Sequence, residues 1–268
     1  MSDLDLARAL DTARRAVEAA SAAALAHFRA GVKVEVKPDR TPVTAADRDS
    51  EAAILKVIRP AFPEHGVLGE ETGEHPGDGE TRWIVDPIDG TRGFTRGGSF
   101  WGPLVACEHR GRIVAGAMAM PALGEVYWAA KGMGCFLQRG AEPPVRLQVS
   151  GIPAWGDATV SLGELHFLLG ANLSPPIVRL TTSAAQARCY GDLAGCAMVL
   201  TGRAEAWIEA GVKIWDLAPL QILVEEAGGR FTDFSGKATV ASGHCVASNG
   251  KVHDHVLAAL RQGYDKLT

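Results

Sequence analysis

The sequence lacks the features that would staple, anchor or export it. Its five cysteines, Cys107, Cys135, Cys189, Cys196 and Cys245, are an odd set without a Cys-x-x-Cys pair. That argues against a disulfide framework and against a zinc site, and for reduced, mostly buried thiols. No stretch approaches the roughly 18 apolar residues that a bilayer-spanning helix needs. The first residues carry Asp3 and Asp5 around a short apolar stretch, so no signal peptide is expected and a cytoplasmic setting is. Neither a basic amphipathic helix nor a lipidation signal points to a membrane surface. Lys and Arg total 27 against 31 acids, scattered without a basic run, and the net charge is −4. No nucleic-acid partner is therefore expected. Ser161, Ser183 and Ser248 lack a Gly-x-Ser-x-Gly setting, which leaves serine-hydrolase chemistry without support. His253 and His255 stand two apart in a helical pattern and so do not share a face.

What is present is an ordinary globular composition, 47% hydrophobic and 22% charged over 268 residues. Residues 4–30 are Ala-rich, with Leu6, Leu10, Val17, Leu25 and Phe28 among polar positions, and read as a helix closed by Gly31. Residues 32–36 alternate like a strand and 37–42 form a loop. Thr44 caps a second helix from Ala45 to Ile58, which Pro60 and Pro63 end. Residues 72–81 read as a polar surface loop. Runs at 101–107, 113–120, 125–130 and 135–138, separated by turn residues, predict an antiparallel meander. A second half starts near residue 150. It has strands at 159–162, 206–209 and 230–234, and helices at 193–202, 216–227 and 253–262. The pattern predicts a layered α/β or α+β protein with halves 1–150 and 151–268 in one compact unit. No internal repeat or linker-like segment interrupts it.

The most informative string is Arg82-Trp-Ile-Val-Asp86-Pro-Ile88-Asp89-Gly90-Thr91. An apolar run that ends in carboxylates places oxygen ligands at a sheet edge, where hard divalent cations bind. Pro87 fixes φ and is expected to turn the chain so that Asp89 comes back toward Asp86. Gly90 permits a close backbone approach, and Thr91 adds a hydroxyl. On its own an Asp-Pro-x-Asp-Gly string is also a good surface turn. Glu70, after Gly69, reads alone as an exposed loop acid. Asp216, after Trp215, reads alone as a helix N-cap. In Thr44-Ala-Ala-Asp47, Thr44 reads alone as a helix cap and Asp47 as a salt-bridging residue.

Together and in this order, these motifs closely resemble those of the inositol monophosphatase superfamily, over nearly the whole chain. The resemblance implies a five-layer α-β-α-β-α sandwich, homodimers, and hydrolysis of phosphate monoesters by metal-activated water. It assigns metal ligation to Glu70, Asp86, the Ile88 carbonyl, Asp89 and Asp216, with two or three Mg²⁺ ions per site. Glu70 also contacts the attacking water, Thr91 positions it, and Asp47 polarises the Thr91 hydroxyl. Gly90 and Thr91 offer N–H groups to the phosphate of a small phosphorylated metabolite. Four acids in one pocket would repel one another without such ions, and an all-oxygen ligand set favours Mg²⁺ over zinc.

Within the superfamily, Phe94-Thr-Arg-Gly97, Phe100 to Ala106, Arg188-Cys-Tyr-Gly-Asp192 and Glu209 to Asp216 resemble the histidinol-phosphatase branch. An acid at Asp192 suits a substrate carrying an ammonium and an imidazole, and Glu209 can join it. Asp192 serves equally well as a cap for the following helix. Arg188 either steers phosphate or sits at the surface. Ile214, the 99–103 string and residues 163–180 depart from the branch pattern. Histidinol phosphate, in histidine biosynthesis, is the expected substrate. Inositol 1-phosphate, fructose 1,6-bisphosphate and a nucleotide bisphosphate are the alternatives within the superfamily. A catalytically silent ligand-binding protein of the same fold is the alternative outside it.

Overall fold

A computed structural model describes residues 4–30, 34–36, 42–77, 79–170 and 173–264. The expected stop at Gly31, the start of the 32–36 strand and the 37–41 loop lie outside these residues. The elements in chain order are α1 (Leu6–Ala30), β1 (Val34–Val36), β2 (Pro42–Thr44), α2 (Ala45–Ala61), β3 (Gly66–Gly69), β4 (Gly73–His75), β5 (Thr81–Asp89) and α3 (Thr91–Thr95). They continue with β6 (Gly102–His109), β7 (Arg112–Met120), β8 (Glu125–Ala130), β9 (Gly134–Arg139), β10 (Val145–Arg146), β11 (Thr159–Leu162), α4 (Leu165–Leu168), α5 (Ser174–Ser183) and β12 (Gln186–Arg188). The chain ends with α6 (Asp192–Leu200), β13 (Ala206–Ala210), α7 (Ile214–Glu226), β14 (Arg230–Thr232), β15 (His244–Ser248) and α8 (His253–Tyr264). No helix among the described residues is long and apolar enough to cross a membrane.

Two units divide the chain after Arg146, and the middle of α7, Ala218–Leu223, groups with the first. The first unit is built on an eight-stranded sheet in the order β10-β9-β8-β7-β6-β5-β3-β4. The expected meander is its β6–β9 portion. The sheet turns parallel only where β3 meets β5, with Gly69 opposite Val85. One face is covered by α1 and α2, where Ala9, Ala13, Ala16 and Ala20 let α1 lie close against Val105, Ala115 and Ala117. The other face meets α7 at Gly116. A Cβ there would stand 2.8 Å from Ile222 and 3.1 Å from the Pro219 backbone, so only glycine admits the helix.

The second unit is a mixed five-stranded sheet in the order β12-β11-β13-β15-β14. Leu180 of α5 and Val256, Leu257 and Leu260 of α8 pack with Val160, Ile208 and Val246 on one face. On the other, Gly195 of α6 approaches Trp207 so closely that a Cβ would stand 2.4 Å from its ring. The layered α/β class expected from the pattern is what the chain forms. None of the five cysteines is in a disulfide, and Cys189 alone of them is exposed.

Several boundaries differ from the sequence reading. α2 runs through Pro60 to Ala61, because a proline in the last turn forfeits one hydrogen bond near a terminus that is already short of partners. The 72–81 segment contains the edge strand β4 and the start of β5. The strand expected at 230–234 stops at Thr232, since Asp233 turns the chain by accepting from the Ser235 and Lys237 N–H groups. Residues 163–180, unassigned from sequence, hold α4 and most of α5.

Candidate active site

β5 does not turn sharply after Asp86, as Pro87 suggested. The strand continues to Asp89, and the irregularity is a bulge. Asp86 faces Leu104 and Asp89 faces Gly102, so Pro87 and Ile88 together oppose Pro103 alone. Such a two-against-one mismatch bends the strand and re-aims side chains. Proline is tolerated there because a bulge spares its missing N–H. The Asp86 side chain secures the bend: its Oδ1 accepts the Ile88 N–H at 2.9 Å. Gly90 follows at φ 79°, a conformation that suits glycine, and opens α3. The Thr91 hydroxyl donates to the Ile88 carbonyl at 2.9 Å. Beneath this segment, Ile88, Phe94 and Trp101 form a fully buried cluster with Ala24 and Ala46.

Asp86 and Asp89 are buried at 2% and 8% exposure. The third acid, Asp216, comes from α7. Asp216 lies in its first turn, where its Oδ2 accepts the Lys213 N–H at 2.7 Å. It is thus the third helical residue rather than the N-cap that the residue suggests on its own. That carboxylate oxygen caps the helix. Asp86, Asp89 and Asp216 each offer an oxygen within 4.8 Å of the others. That all-oxygen donor set fits a hard divalent cation.

Glu70 follows β3 directly. Its N–H donates to the Val85 carbonyl at 3.2 Å, which ties it to the residue before Asp86. Asp47 is in the first turn of α2, with its Oδ2 accepting both the N–H and the hydroxyl of Thr44 at 2.7 Å. The Thr44 hydroxyl in turn accepts from the Ala46 N–H. The hydroxyl partner of Asp47 is therefore Thr44, whereas Thr91 bonds Ile88. Burial raises the Asp47 pKa above the usual 3.8.

On the second unit, Glu209 is 1% exposed and lies under the Gly163–Glu164 turn. Its Oε1 accepts the N–H groups of Glu164 and Ala210 at 2.8 and 3.0 Å. Loss of water still dominates and raises its pKa to about 8. Asp192 is the first residue of α6, at φ 44°, and is exposed. Lost hydration, then the charges of Asp216 and Glu164, raise its pKa to about 6. Gly191, not Asp192, caps the helix. Arg188 is exposed on the edge strand β12, where its guanidinium donates to the Ala187 carbonyl. The structure thus joins three of the expected metal ligands and keeps Glu209 beneath a turn rather than open to a ligand. It also reveals Glu51, a fully buried acid on α2 that the sequence reading passed over. Its spacing of four from Asp47, on the same helix face, was the available signal.

A model of the inositol monophosphatase family matches residues 5–266. The chain belongs to that family. It is 39% identical to the histidinol-phosphatase of Mycobacterium tuberculosis, covering 98% of this chain and 100% of that one. It is 34% identical to the inositol-1-monophosphatase of Rhizobium meliloti, covering 86% and 85%. Among solved structures, the extragenic suppressor protein suhB from Bartonella henselae superposes with a TM-score of 0.86 at 28% identity, covering 94% of this chain and 98% of that one. The Thermotoga maritima IMPase superposes with a TM-score of 0.83 at 30% identity, covering 97% and 99%. The family member described here is accordingly a phosphate monoester hydrolase.

Proposed function

We propose that this enzyme hydrolyses L-histidinol phosphate to L-histidinol and phosphate with Mg²⁺. The observation that carries the metal requirement is the convergence of Asp86, Asp89 and Asp216. Those carboxylates would hold the ions, with Glu70 and the Ile88 carbonyl. When bound, Mg²⁺ neutralises charge on the phosphoryl oxygens and activates water. The chain itself does the rest. The backbone of Gly90 and Thr91, held open by the left-handed glycine, offers N–H groups to phosphate oxygens. The Thr91 hydroxyl gives its proton to Ile88, so its lone pairs remain to accept from a water and hold it in place. Water oxygen bonds to phosphorus, the ester oxygen departs with a proton, and no covalent enzyme intermediate is needed.

The substrate follows from the acids of the second unit together with the histidinol-phosphatase relatives. Asp192, with Glu164 and Asp216 near enough to raise its pKa, makes an electronegative rim suited to an ammonium or imidazole. Glu209, buried beneath the Gly163–Glu164 turn and protonated near neutrality, supports that rim through its bonds to the Glu164 and Ala210 N–H groups rather than by charge, and Arg188 is exposed on the edge strand β12. On this reading the enzyme serves histidine biosynthesis in the cytoplasm, where its thiols stay reduced, and pairs as a homodimer. Phosphate release by the purified protein with Mg²⁺ tests the substrate. The expected kcat/KM for L-histidinol phosphate exceeds that for inositol 1-phosphate by about tenfold or more, the size of one well-made charged contact. The reverse order would move the enzyme to the inositol branch.

A further inference from the structure

Glu51 is a fully buried carboxylate to which the proposed chemistry gives no task. It projects from α2 one turn beyond Asp47. Around it α2 buries Ile54, Leu55 and Ile58, the residues expected of a helix that only packs. A buried acid is costly unless donors surround it. The donors of Glu51 all come from one short turn. Its Oε2 accepts the Glu71 N–H at 2.9 Å, and its Oε1 accepts the Thr72 N–H at 3.0 Å and the Thr72 hydroxyl. Gly69 makes the approach possible, since a Cβ there would stand 2.4 Å from Oε1. Glu70 sits between that glycine and Glu71. Its own N–H is tied to Val85, so the backbone is held on both sides of it.

We propose that Glu51 is the positioning residue for Glu70. Its carboxylate grips the Gly69–Thr72 turn and thereby presents Glu70 to the metal site. The proposal rests on the reading that Glu70 serves that site. It also accounts for an acid where an apolar residue would pack at lower cost. Glutamine at 51 has nearly the same shape but turns an NH₂ toward one of the donors. The turn is then released without a large change of volume.

The test uses Mg²⁺ binding to the metal-stripped full chain by calorimetry, and hydrogen exchange of the Glu71 and Thr72 amides. The proteins are the wild type, E51Q, E70Q and the double variant. E51Q is expected to speed exchange at both amides and to weaken Mg²⁺ binding, each by about tenfold, the loss of one charge-assisted hydrogen bond. E70Q is expected to weaken Mg²⁺ binding alone, and the double variant to bind no more weakly than E70Q. Faster exchange with unchanged Mg²⁺ affinity would assign Glu51 to the fold and overturn the proposal. Full additivity in the double variant would do the same. An inert E70Q would instead remove the underlying reading, and the proposal with it. Thr72→Val, at an exposed position, deletes only the hydroxyl contact and serves if E51Q does not fold. It should weaken Mg²⁺ binding in the wild type but not in E70Q.

Discussion

His253 shows how a residue that reads as incidental in sequence becomes a stability determinant. Its ring is fully buried, with Nδ1 against the Ser248 hydroxyl at 2.8 Å and Nε2 against the Thr232 hydroxyl at 2.9 Å. Loss of water, then the Arg230 charge, lowers its pKa from 6.5 to about 4, against the pull of Asp254. The folded protein therefore binds this proton less readily than the unfolded chain does. The contribution of His253 is fully present above pH 6.5 and is lost as pH falls through about 4. Over that window it amounts to on the order of 3 kcal/mol. Urea unfolding at several pH values should show His253→Gln less stable near neutrality but with a flatter decline toward acid. An unchanged slope would show that His253 is not the titrating group. The sequence marked His253 only as half of a His-x-His pair, because burial depends on strands β14 and β15, which arrive from elsewhere in the fold. Glu51 escaped notice for the same reason. An acid with backbone donors supplied by distant residues looks in sequence like any surface acid.

The β5–α3 segment carries the site, and its geometry comes from packing as much as from Asp and Gly. Ile88 points into the cluster with Phe94 and Trp101, and the Trp101 indole donates to the Gly98 carbonyl at 3.0 Å. Phe28 of α1 packs tilted against both rings, with centroids 5.5 Å from Phe94 and 5.0 Å from Trp101. Trp101→Ala should cost about 3–5 kcal/mol of stability. It should also weaken Mg²⁺ binding, since the bulge that aims Asp86 and Asp89 loses its support. Thermal unfolding and Mg²⁺ calorimetry measure the two effects. A destabilised variant with wild-type Mg²⁺ affinity would separate the cluster from the site. The long meander strands were legible because β6 to β9 are largely apolar runs of six to nine residues separated by turn residues. Strands β4, β10 and β12 have two or three residues each and exist only by pairing with a longer neighbour, so they left no periodic trace. The bulge was misjudged as a sharp turn because Pro87 breaks a ladder and starts a turn by the same missing N–H.

Across the chain, α7 is the element that the division into two units cuts. Its stretch Ala218–Leu223 groups with the first unit although its neighbours in sequence group with the second. Only long-range contacts decide that, and the fit depends on Gly116, a single small residue about a hundred positions earlier. The placement matters because this helix carries Asp216. The clustered acids Asp86, Asp89 and Asp216 were legible from their motifs as candidate ligands, since oxygen ligands must come from a few residue types in fixed local settings. The substrate was far less so, because Asp192, Glu164 and Glu209 are brought together by the fold and obey no local rule. The central claim is that Asp86, Asp89 and Asp216 form a Mg²⁺ site on which phosphate release depends. The direct measurement is phosphate release from L-histidinol phosphate by metal-stripped enzyme titrated with Mg²⁺, in the wild type and in Asp86→Asn. Asparagine keeps the oxygen that accepts from Ile88, so the bulge survives while the charge is lost. The account predicts no release in EDTA, full recovery with Mg²⁺ in the wild type, and a loss of about a hundredfold or more in Asp86→Asn. Undiminished release in EDTA, or wild-type activity in the variant, would contradict it.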